Sequence, residues 1–490
     1  MIRLYDTRKK RKLEFTPLTA GKVGIYVCGV TVYDICHVGH ARTLVSFDVI
    51  VRYLRASGYD VKFVRNITDV DDKIIRRGHQ EGRDSAEVAR EYADAMGRDL
   101  AALGVAPPDE EPRATENIKE MHDIISMLEK KNLAYAAAGD VYYSVPGFSG
   151  YGQLSGQSPD DLRAGARIEI GEQKRSPMDF ALWKGAKPGE PQWASPWGPG
   201  RPGWHIECSA MAHRFLGERF DIHGGGADLI FPHHENELAQ SCGAFGENSF
   251  AQHWMHSGMV NFGGEKMSKS LGNVVSIAKV CSTHDPESLR LLLISVHYRS
   301  PVSFEIRKGE DGSTSFPDLD EQEGRLEYFY RTLDRIDAFV RGLKDPPAEP
   351  APSALVAAFH AAMDDDFNTA AAIGHLYDTF VQANTLLDDP KSAPKPERAA
   401  RLVAIGRDVR KAGASLGILQ QDPQAFLLRR RERLCVQRNI DPAEIEAQIA
   451  GRLAARKDKD FARADAIRDA LVERGIELMD SPTGTVWRVK

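Results

Sequence analysis

The chain has 490 residues, 42% hydrophobic and 27% charged, with a formal net charge of −6. That length is too great for one core and implies three or more domains, while the acidic balance argues against a general nucleic-acid binder, which is usually basic overall. No apolar run is long enough to cross a bilayer, the N-terminus lacks a signal-peptide apolar stretch, and the six cysteines are too few and too scattered for a disulfide framework, so a cytoplasmic chain with free or metal-ligating thiols is expected.

Residues 23 to 75 read as strand, helix, strand and helix start, half of a doubly wound nucleotide-binding fold. The strand is the apolar run Val23 to Val30. The helix is Arg42 to Leu54, whose Leu44, Val45, Phe47, Val49, Ile50 and Val51 suit burial. After Pro107-Pro108 a helix spans Asn117 to Lys131, then a hairpin from Ala134 to Val145 turns at Gly139-Asp140. Residues 146 to 203, rich in Gly, Pro and Trp, look irregular and inserted. The nucleotide fold resumes at Trp204 with a helix over Ile206 to Leu216 and a short strand at Arg219 to His223, so the sheet is split by an insertion. Pro232 suits the first position of a helix from Phe231 to Ser241.

Farther on, Pro286 to Val296 is helical, Phe304 to Gln322 is polar and glycine-bearing, and amphipathic helices fill Gly324 to Leu343. The spacer Asp345-Pro346-Pro347-Ala348-Glu349-Pro350-Ala351-Pro352 leads to Ala- and Leu-rich helices between 353 and 418, which makes an all-helical bundle. The last 60 residues form a small α+β unit. In it Ile445, Ile449 and Leu453 share one helix face, Phe461, Ala464, Ile467 and Leu471 another, Gly475 stops the helix, and a hairpin turns at Ser481-Pro482-Thr483-Gly484. Arg429-Arg430-Arg431-Glu432-Arg433 and Arg452 to Lys459 suit phosphate contact, or equally a solvated helix face.

Two strings carry nucleotide chemistry. His37-Val38-Gly39-His40 lies where a strand passes through a glycine turn into a helix, and unpaired N–H groups there attract phosphate. Lys266-Met267-Ser268-Lys269-Ser270, in a glycine-flanked loop, offers lysines to a departing pyrophosphate. Gly224-Gly225-Gly226 before Asp228 is either a close approach for an adenosine or a plain tight turn. His233 and Glu237, four apart, share a helix face and suit one edge of a zinc tetrahedron, with Cys28 and Cys208 as the softer sulfur edge. Such a pair is more often a surface hydrogen bond or salt bridge, and the residues alone leave that open. The string reads HHENE rather than HExxH, so a metalloprotease has no support.

Together the two nucleotide strings resemble the HIGH and KMSKS signatures of class I aminoacyl-tRNA synthetases, with Val38 in place of the usual isoleucine. Four further strings narrow the resemblance to the cysteinyl-tRNA synthetase family, nearly end to end: Tyr26-Val27-Cys28-Gly29-Val30-Thr31-Val32-Tyr33-Asp34, Asn66-Ile67-Thr68-Asp69-Val70-Asp71-Asp72-Lys73, Gly203-Trp204-His205-Ile206-Glu207-Cys208-Ser209 and Phe231-Pro232-His233-His234-Glu235-Asn236-Glu237.

The resemblance implies ATP-dependent attachment of L-cysteine to tRNA(Cys) through a cysteinyl-adenylate. One Zn²⁺ per chain would sit on Cys28, Cys208, His233 and Glu237, and Mg²⁺ would accompany ATP. It places His37, His40, Lys266 and Lys269 at the phosphates, Asp228 at the ribose, and Thr31, Thr68, Trp204 and His223 around the amino acid. Arg456, Phe461, Asp465, Asp480 and Trp487 fall at the anticodon, Phe461 standing where some relatives have tryptophan. The division it implies is 1–115 and 204–262 for the two halves of the catalytic domain, 116–203 for an inserted connective domain, 263–319 for the KMSKS loop and stem-contact region, 320–419 for the helical bundle and 420–490 for anticodon binding. A cytoplasmic monomer without membrane contact is the family expectation.

Zinc would serve selection. A pocket of modest polarity separates cysteine from serine by only about 1–3 kcal/mol, whereas a soft metal binds thiolate strongly and hydroxyl weakly. The segment Arg307 to Gln322 is longer than the usual link into the bundle. Two rivals are a cysteine ligase that acts on an amino sugar, which lacks the full C-terminal part, and a non-catalytic RNA-binding paralogue, against which the intact His37, His40, Lys266 and Lys269 argue.

Overall fold

In a computed structural model of the chain, residues 1–157, 173–262, 265–266, 274–310, 312–345, 347, 350–481 and 484–489 are described. A hairpin of β1 (Arg3–Asp6) and β2 (Arg11–Glu14) precedes β3 (Lys22–Val27), α1 (Val38–Ala56) and β4 (Asp60–Arg65). α1 is apolar around most of its circumference because it is enclosed on all sides. Leu44, Val45, Phe47, Val49, Ile50 and Val51 are all buried, as their spacing predicts. α2 (Asp72–Glu81) and α3 (Ser85–Ala102) follow, each started by an aspartate, Asp71 and Asp84, whose side chain accepts a first-turn N–H.

α4 (Ile118–Lys130) leads into β5 (Ala134–Ala137) and β6 (Asp140–Tyr143). The region expected to be irregular carries two more strands, β7 (Phe180–Gly185) and β8 (Gly200–Pro202), which complete an antiparallel sheet in the order β5-β6-β7-β8. The Gly and Pro of β8 hid that strand in the sequence, but it lies at the sheet edge, where a missing N–H is tolerated. The insert is fastened to α2 through Asp72, which pairs with both Lys184 of β7 and Arg201 of β8.

The chain then returns through α5 (Trp204–Leu216), β9 (Arg219–Gly226), α6 (Glu235–Phe245) and β10 (Phe250–Ser257). β10, β9, β3 and β4 form one parallel sheet in that order. The strand order reverses between β9 and β3, and ligands of such sheets bind outside the strand ends at that reversal. β9 runs to Gly226, beyond the predicted end at His223. The helix expected from Phe231 does not start there. Phe231 itself is extended (φ −139°, ψ 133°), as a residue before proline prefers, and only the turn through His234 continues into α6.

β11 (Val260–Phe262) pairs with β12 (Glu265–Lys266) and with β13 (Val302–Phe304), between which lie α7 (Ile277–Cys281) and α8 (Pro286–Ile294). The long polar link holds a small hairpin, β14 (Arg307–Lys308) with β15 (Thr314–Ser315). α9 (Pro317–Arg341) begins earlier than expected because Pro317 opens it, Asp318 and Asp320 favour its first turn, and Phe316 and Leu319 are buried. With α10 (Ala354–Asp364), α11 (Thr369–Asp388) and α12 (Lys395–Leu416) it makes the helical bundle. α13 (Pro423–Gln437), α14 (Pro442–Lys457), α15 (Phe461–Glu473), β16 (Ile476–Ser481) and β17 (Gly484–Val489) close the chain. Leu453 is exposed. The α14 stripe is Ile445, Ile449 and Arg452, and Arg452 is held by Asp480 of β16 through two 2.9 Å bonds.

Candidate active site and metal centre

At the reversal between β9 and β3 opens a cavity of about 390 Å³. Its floor begins at the end of β3, where Cys28 and Gly29 leave the sheet. Gly29 is required there, because a Cβ would stand 1.7 Å from the Asn66 carbonyl oxygen. On one wall His37 and His40 lie at the first turn of α1. Each side chain bonds the backbone N–H of the other, a reciprocal cap, and the two rings stack at 3.6 Å. This turn is tied to the far side of the Lys266 loop, since Val38 N–H donates to the Val275 carbonyl at 3.0 Å and Ile277 N–H to the Cys36 carbonyl at 3.1 Å. Met259, Val260 and Val274, which flank that loop, line the cavity. The backbone of Lys266 pairs with Asn261. Lys269 lies outside the described residues.

Asp228 is exposed and lines the cavity with Trp204 and Thr31. The three glycines before it end a strand rather than make a turn. A Cβ on Gly224 would lie 2.2 Å from the Phe47 ring and one on Gly225 2.7 Å from His234, so both are filled from the protein side, and only Gly226 opens towards Asp228. Thr31 bridges to Thr68, whose hydroxyl donates to Glu207 at 3.1 Å.

Beneath the cavity Cys28, Cys208, His233 and Glu237 converge, all buried, with their ligand atoms within 4.8 Å of one another. Cys28 Sγ is 3.6 Å from Cys208 Sγ, 3.5 Å from His233 Nε2 and 3.3 Å from Glu237 Oε1. His233 Nε2 and Glu237 Oε1 are 2.9 Å apart, so the spacing of four keeps them on one face although the helix starts late. A second grouping, Cys28, His223, His234 and Glu237, is also close enough. It has one sulfur instead of two, and His234 Nδ1 is already engaged by His256 at 2.8 Å. The two-thiol set is the better match to a soft divalent ion.

The electrostatics point the same way. Burial holds the Cys28 thiol well above its ordinary range. Burial would raise Cys208 too, but the hydrogen bond from Cys28 and the neighbouring His233 bring it down to about 6. Burial disfavours a charged His233, yet Glu237 and Cys208 outweigh it and raise its pKa to about 10. Glu237 is held well below the carboxylate range against its own burial by His223 and His233. A thiolate, a carboxylate and a proton-holding imidazole buried together are what a metal ion would replace protons to join.

Sequence reasoning placed Trp204 and His223 around the amino acid and missed His205 and Lys73. His205 Nδ1 meets His233 Nδ1 at 2.9 Å, and His223 Nε2 meets Glu237 Oε2 at 2.8 Å, so His223 stands behind the cluster instead of lining the cavity. Trp204 stacks on His233 with ring centroids 4.2 Å apart. Lys73 lines the cavity as well. The only signal for His205 and Lys73 was their place inside the strings already quoted.

The residues expected at the anticodon divide three ways. Phe461 is 62% exposed, Asp465 is exposed beside Arg468, and Arg456 and Asp480 pair at 3.0 Å. Trp487 is buried, with its indole N–H donated to Glu446 at 2.6 Å, so its ring belongs to the core of the last unit and presents no open face for a base. Two arginines of the basic run are paired with the bundle. Arg430 and Arg433 both pair with Glu323 of α9, and Arg430 also with Glu327 at 2.8 Å.

The family described as tRNA synthetases class I (C) catalytic domain matches residues 14–310, the DALR domain 358–420, and the cysteinyl-tRNA ligase anticodon binding domain 442–488. Curated relatives named cysteine–tRNA ligase include those of Geobacter metallireducens, 52% identical, and Syntrophotalea carbinolica, 48% identical, each alignment covering 100% of both chains. Among solved structures, a Mycobacterium tuberculosis methionyl-tRNA synthetase with methionyl-adenylate superposes with a TM-score of 0.56 at 16% identity, covering 83% of this chain and 93% of that one. A leucyl-tRNA synthetase complex from Agrobacterium radiobacter K84 gives 0.57 at 12% identity, covering 84% and 86%. These two speak for the fold alone. No described helix is long and apolar enough to cross a membrane. Fold, signatures and full-length relatives agree, and the chain belongs to the cysteine–tRNA ligase family of class I aminoacyl-tRNA synthetases.

Proposed function

We propose that the chain attaches L-cysteine to tRNA(Cys) in two steps, with ATP as the energy source and a cysteinyl-adenylate between them. The observation that supports this reading is the convergence of Cys28, Cys208, His233 and Glu237 under a cavity lined by His37, Gly39 and His40. In the first step the cysteine carboxylate, already ionised, attacks the α-phosphorus of ATP, and pyrophosphate leaves. No general base is needed, and catalysis is positioning and charge stabilisation. His37, His40 and the amides at the start of α1 take the phosphates, Lys266 and Lys269 the pyrophosphate oxygens with Mg²⁺, and Asp228 the ribose. Thr31, Thr68 and Trp204 surround the amino acid, and His223 holds Glu237 in place. In the second step the terminal ribose hydroxyl of the tRNA takes the cysteinyl group.

Two thiols, an imidazole and a carboxylate suit Zn²⁺, which when bound supplies a thiolate-selective ligand position for the substrate sulfur. The chain's own part is to hold those four ligands dry and oriented. Arg456, Phe461, Asp465 and Asp480 present the anticodon-reading surface, for which the family match over 442–488 is the support. The enzyme acts as a cytoplasmic monomer. The test is cysteine charging of unfractionated tRNA with ATP and Mg²⁺, against serine, before and after zinc removal. Zinc-dependent charging with cysteine alone is expected. Adenylate formation without tRNA charging would favour an amino-sugar acceptor instead.

A further inference from the structure

Arg42 lies on α1 two residues beyond His40, and the reaction above gives it no part. Its side chain is 1% exposed, yet among the described residues no carboxylate pairs with it. A buried guanidinium is usually held by an acid, and here four main-chain carbonyls take that place. Its terminal nitrogens donate to Leu293, to His297 at 2.7 Å, to Tyr298 at 2.9 Å and to Ser300 at 3.0 Å. Leu293 is in the last turn of α8, where carbonyls have no partner within the helix. The other three belong to the loop between α8 and β13. A planar fork of donors suits such a set of acceptors better than the single ammonium point of a lysine.

That loop in turn supports the lining of the cavity. Gly258 N–H donates to the Tyr298 carbonyl at 2.7 Å, so this carbonyl accepts from Arg42 and from the lining at once. A Cβ on Gly258 would stand 2.3 Å from the Ser300 carbonyl oxygen, another acceptor of Arg42. Val302 N–H donates to the Met259 carbonyl at 2.9 Å, and β13 then runs parallel to β11 from Val260 opposite Val302 to Phe262 opposite Phe304. Gly258, Met259 and Val260 line the cavity together with His37 and His40, and β11 pairs onward with the strand that carries Lys266.

Resting on the two-step reaction proposed above, we propose that Arg42 is a positioning residue for adenylate formation. By gathering the carbonyls of Leu293, His297, Tyr298 and Ser300 it fixes the segment 258–260, and with it the strand of Lys266, relative to the turn that holds His37 and His40. It acts through backbone on both sides of the phosphates, where rate depends on placement to within about 1 Å. Cys28, Cys208, His233 and Glu237 receive no hydrogen bond from Arg42 or from the loop it gathers, so zinc and cysteine binding do not depend on this joint.

The experiment compares the unaltered chain with Arg42→Met, which keeps the length and removes every donor, and with Arg42→Lys, which keeps the charge. Cysteine-dependent ATP–pyrophosphate exchange gives kcat and the KM for each substrate, and bound zinc is read separately with a chromogenic chelator. In Arg42→Met kcat is expected to fall about 100-fold, the cost of misplacing reacting groups by about 1 Å, while the KM for cysteine and the bound zinc stay as they were. Arg42→Lys is expected to fall between. Circular dichroism checks folding, and Gly258→Ala, which strikes the same joint from the cavity side and is expected to show the same split, serves if Arg42→Met does not fold. An unchanged kcat in a folded variant overturns the proposal and leaves the reaction intact. A fall in kcat accompanied by a raised KM for cysteine and lost zinc also overturns it, since Arg42 would then be a general support. Failure of the unaltered chain to carry out exchange overturns the reaction itself and this proposal with it.

Discussion

The metal cluster and the C-terminal unit were both anticipated as sets of named residues, and the fold treats them differently. Cys28, Cys208, His233 and Glu237 come from three separate strings, and every one is buried with its ligand atom close to the others. Of the five anticodon candidates, Phe461 stands in solvent, Asp480 is engaged by Arg452 and Arg456, and Trp487 is core. The contrast reflects chemistry. A soft metal accepts few residue types at fixed spacing, so its ligands are restricted in identity and position. A base is read by an aromatic face and polar edges that many surface arrangements provide, and the same residue types also serve packing and ion pairs.

The comparison breaks most visibly at the cluster itself. Removing an outer-shell partner from a metal site costs about 10–100-fold, and Cys208→Ala deletes a ligand, so cysteine-dependent ATP–pyrophosphate exchange is expected to fall by more than about 100-fold with loss of bound zinc. Exchange at the unaltered rate would remove Cys208 from the site. Next in size is Trp487→Ala. As a core substitution it is expected to destabilise the last unit by about 3–5 kcal/mol, seen in thermal unfolding, with exchange preserved. A stable variant defective only in tRNA charging would restore Trp487 to the anticodon surface.

Phe461→Ala sharpens the same contrast from the exposed side. Losing one base-stacking ring costs about 1–3 kcal/mol, so the KM for tRNA is expected to rise while the melting temperature and exchange stay as they were. An unchanged KM for tRNA would mean that Phe461 stacks on nothing. The smallest effect belongs to the clasp between α9 and the C-terminal elements. Burial would raise Glu327, but Arg430, Arg331 and Arg488 outweigh it and hold it below the ordinary carboxylate range. A depressed carboxyl stabilises the fold above its unfolded pKa, about 4.3, and that contribution is lost as pH falls through the lower folded value. Glu327→Gln is therefore expected to flatten the loss of stability below about pH 4, measured by denaturant unfolding across pH. Parallel acid profiles for both chains would show that the clasp carries no such dependence.

Legibility followed residue type throughout. The burial of α1 and the pairing of His233 with Glu237 could be read from spacing, because 3.6-residue periodicity survives any tertiary context. β7 and β8 could not, since β7 pairs with β6 some 40 residues earlier in the chain and β8, which is Gly-Arg-Pro, carries no strand signal of its own and pairs only with β7. Leu453 was expected in the core by the same periodicity, and Arg452 took that place because Asp480 made a buried guanidinium affordable. The arginine run suited a phosphate surface or equally a solvated helix face, and two of its members turned inward because Glu323 and Glu327 await them on α9.

By itself the sequence determined the split nucleotide fold and marked the two phosphate-handling strings, because strand and helix periods are local properties, whereas the set of Cys28, Cys208, His233 and Glu237 came from the family resemblance. Only the tertiary structure decided that Cys28, Cys208, His233 and Glu237 converge, that the Val38 N–H is bonded to the Val275 carbonyl and that Trp487 is core. Those outcomes depend on distances between segments hundreds of residues apart, and packing sets them.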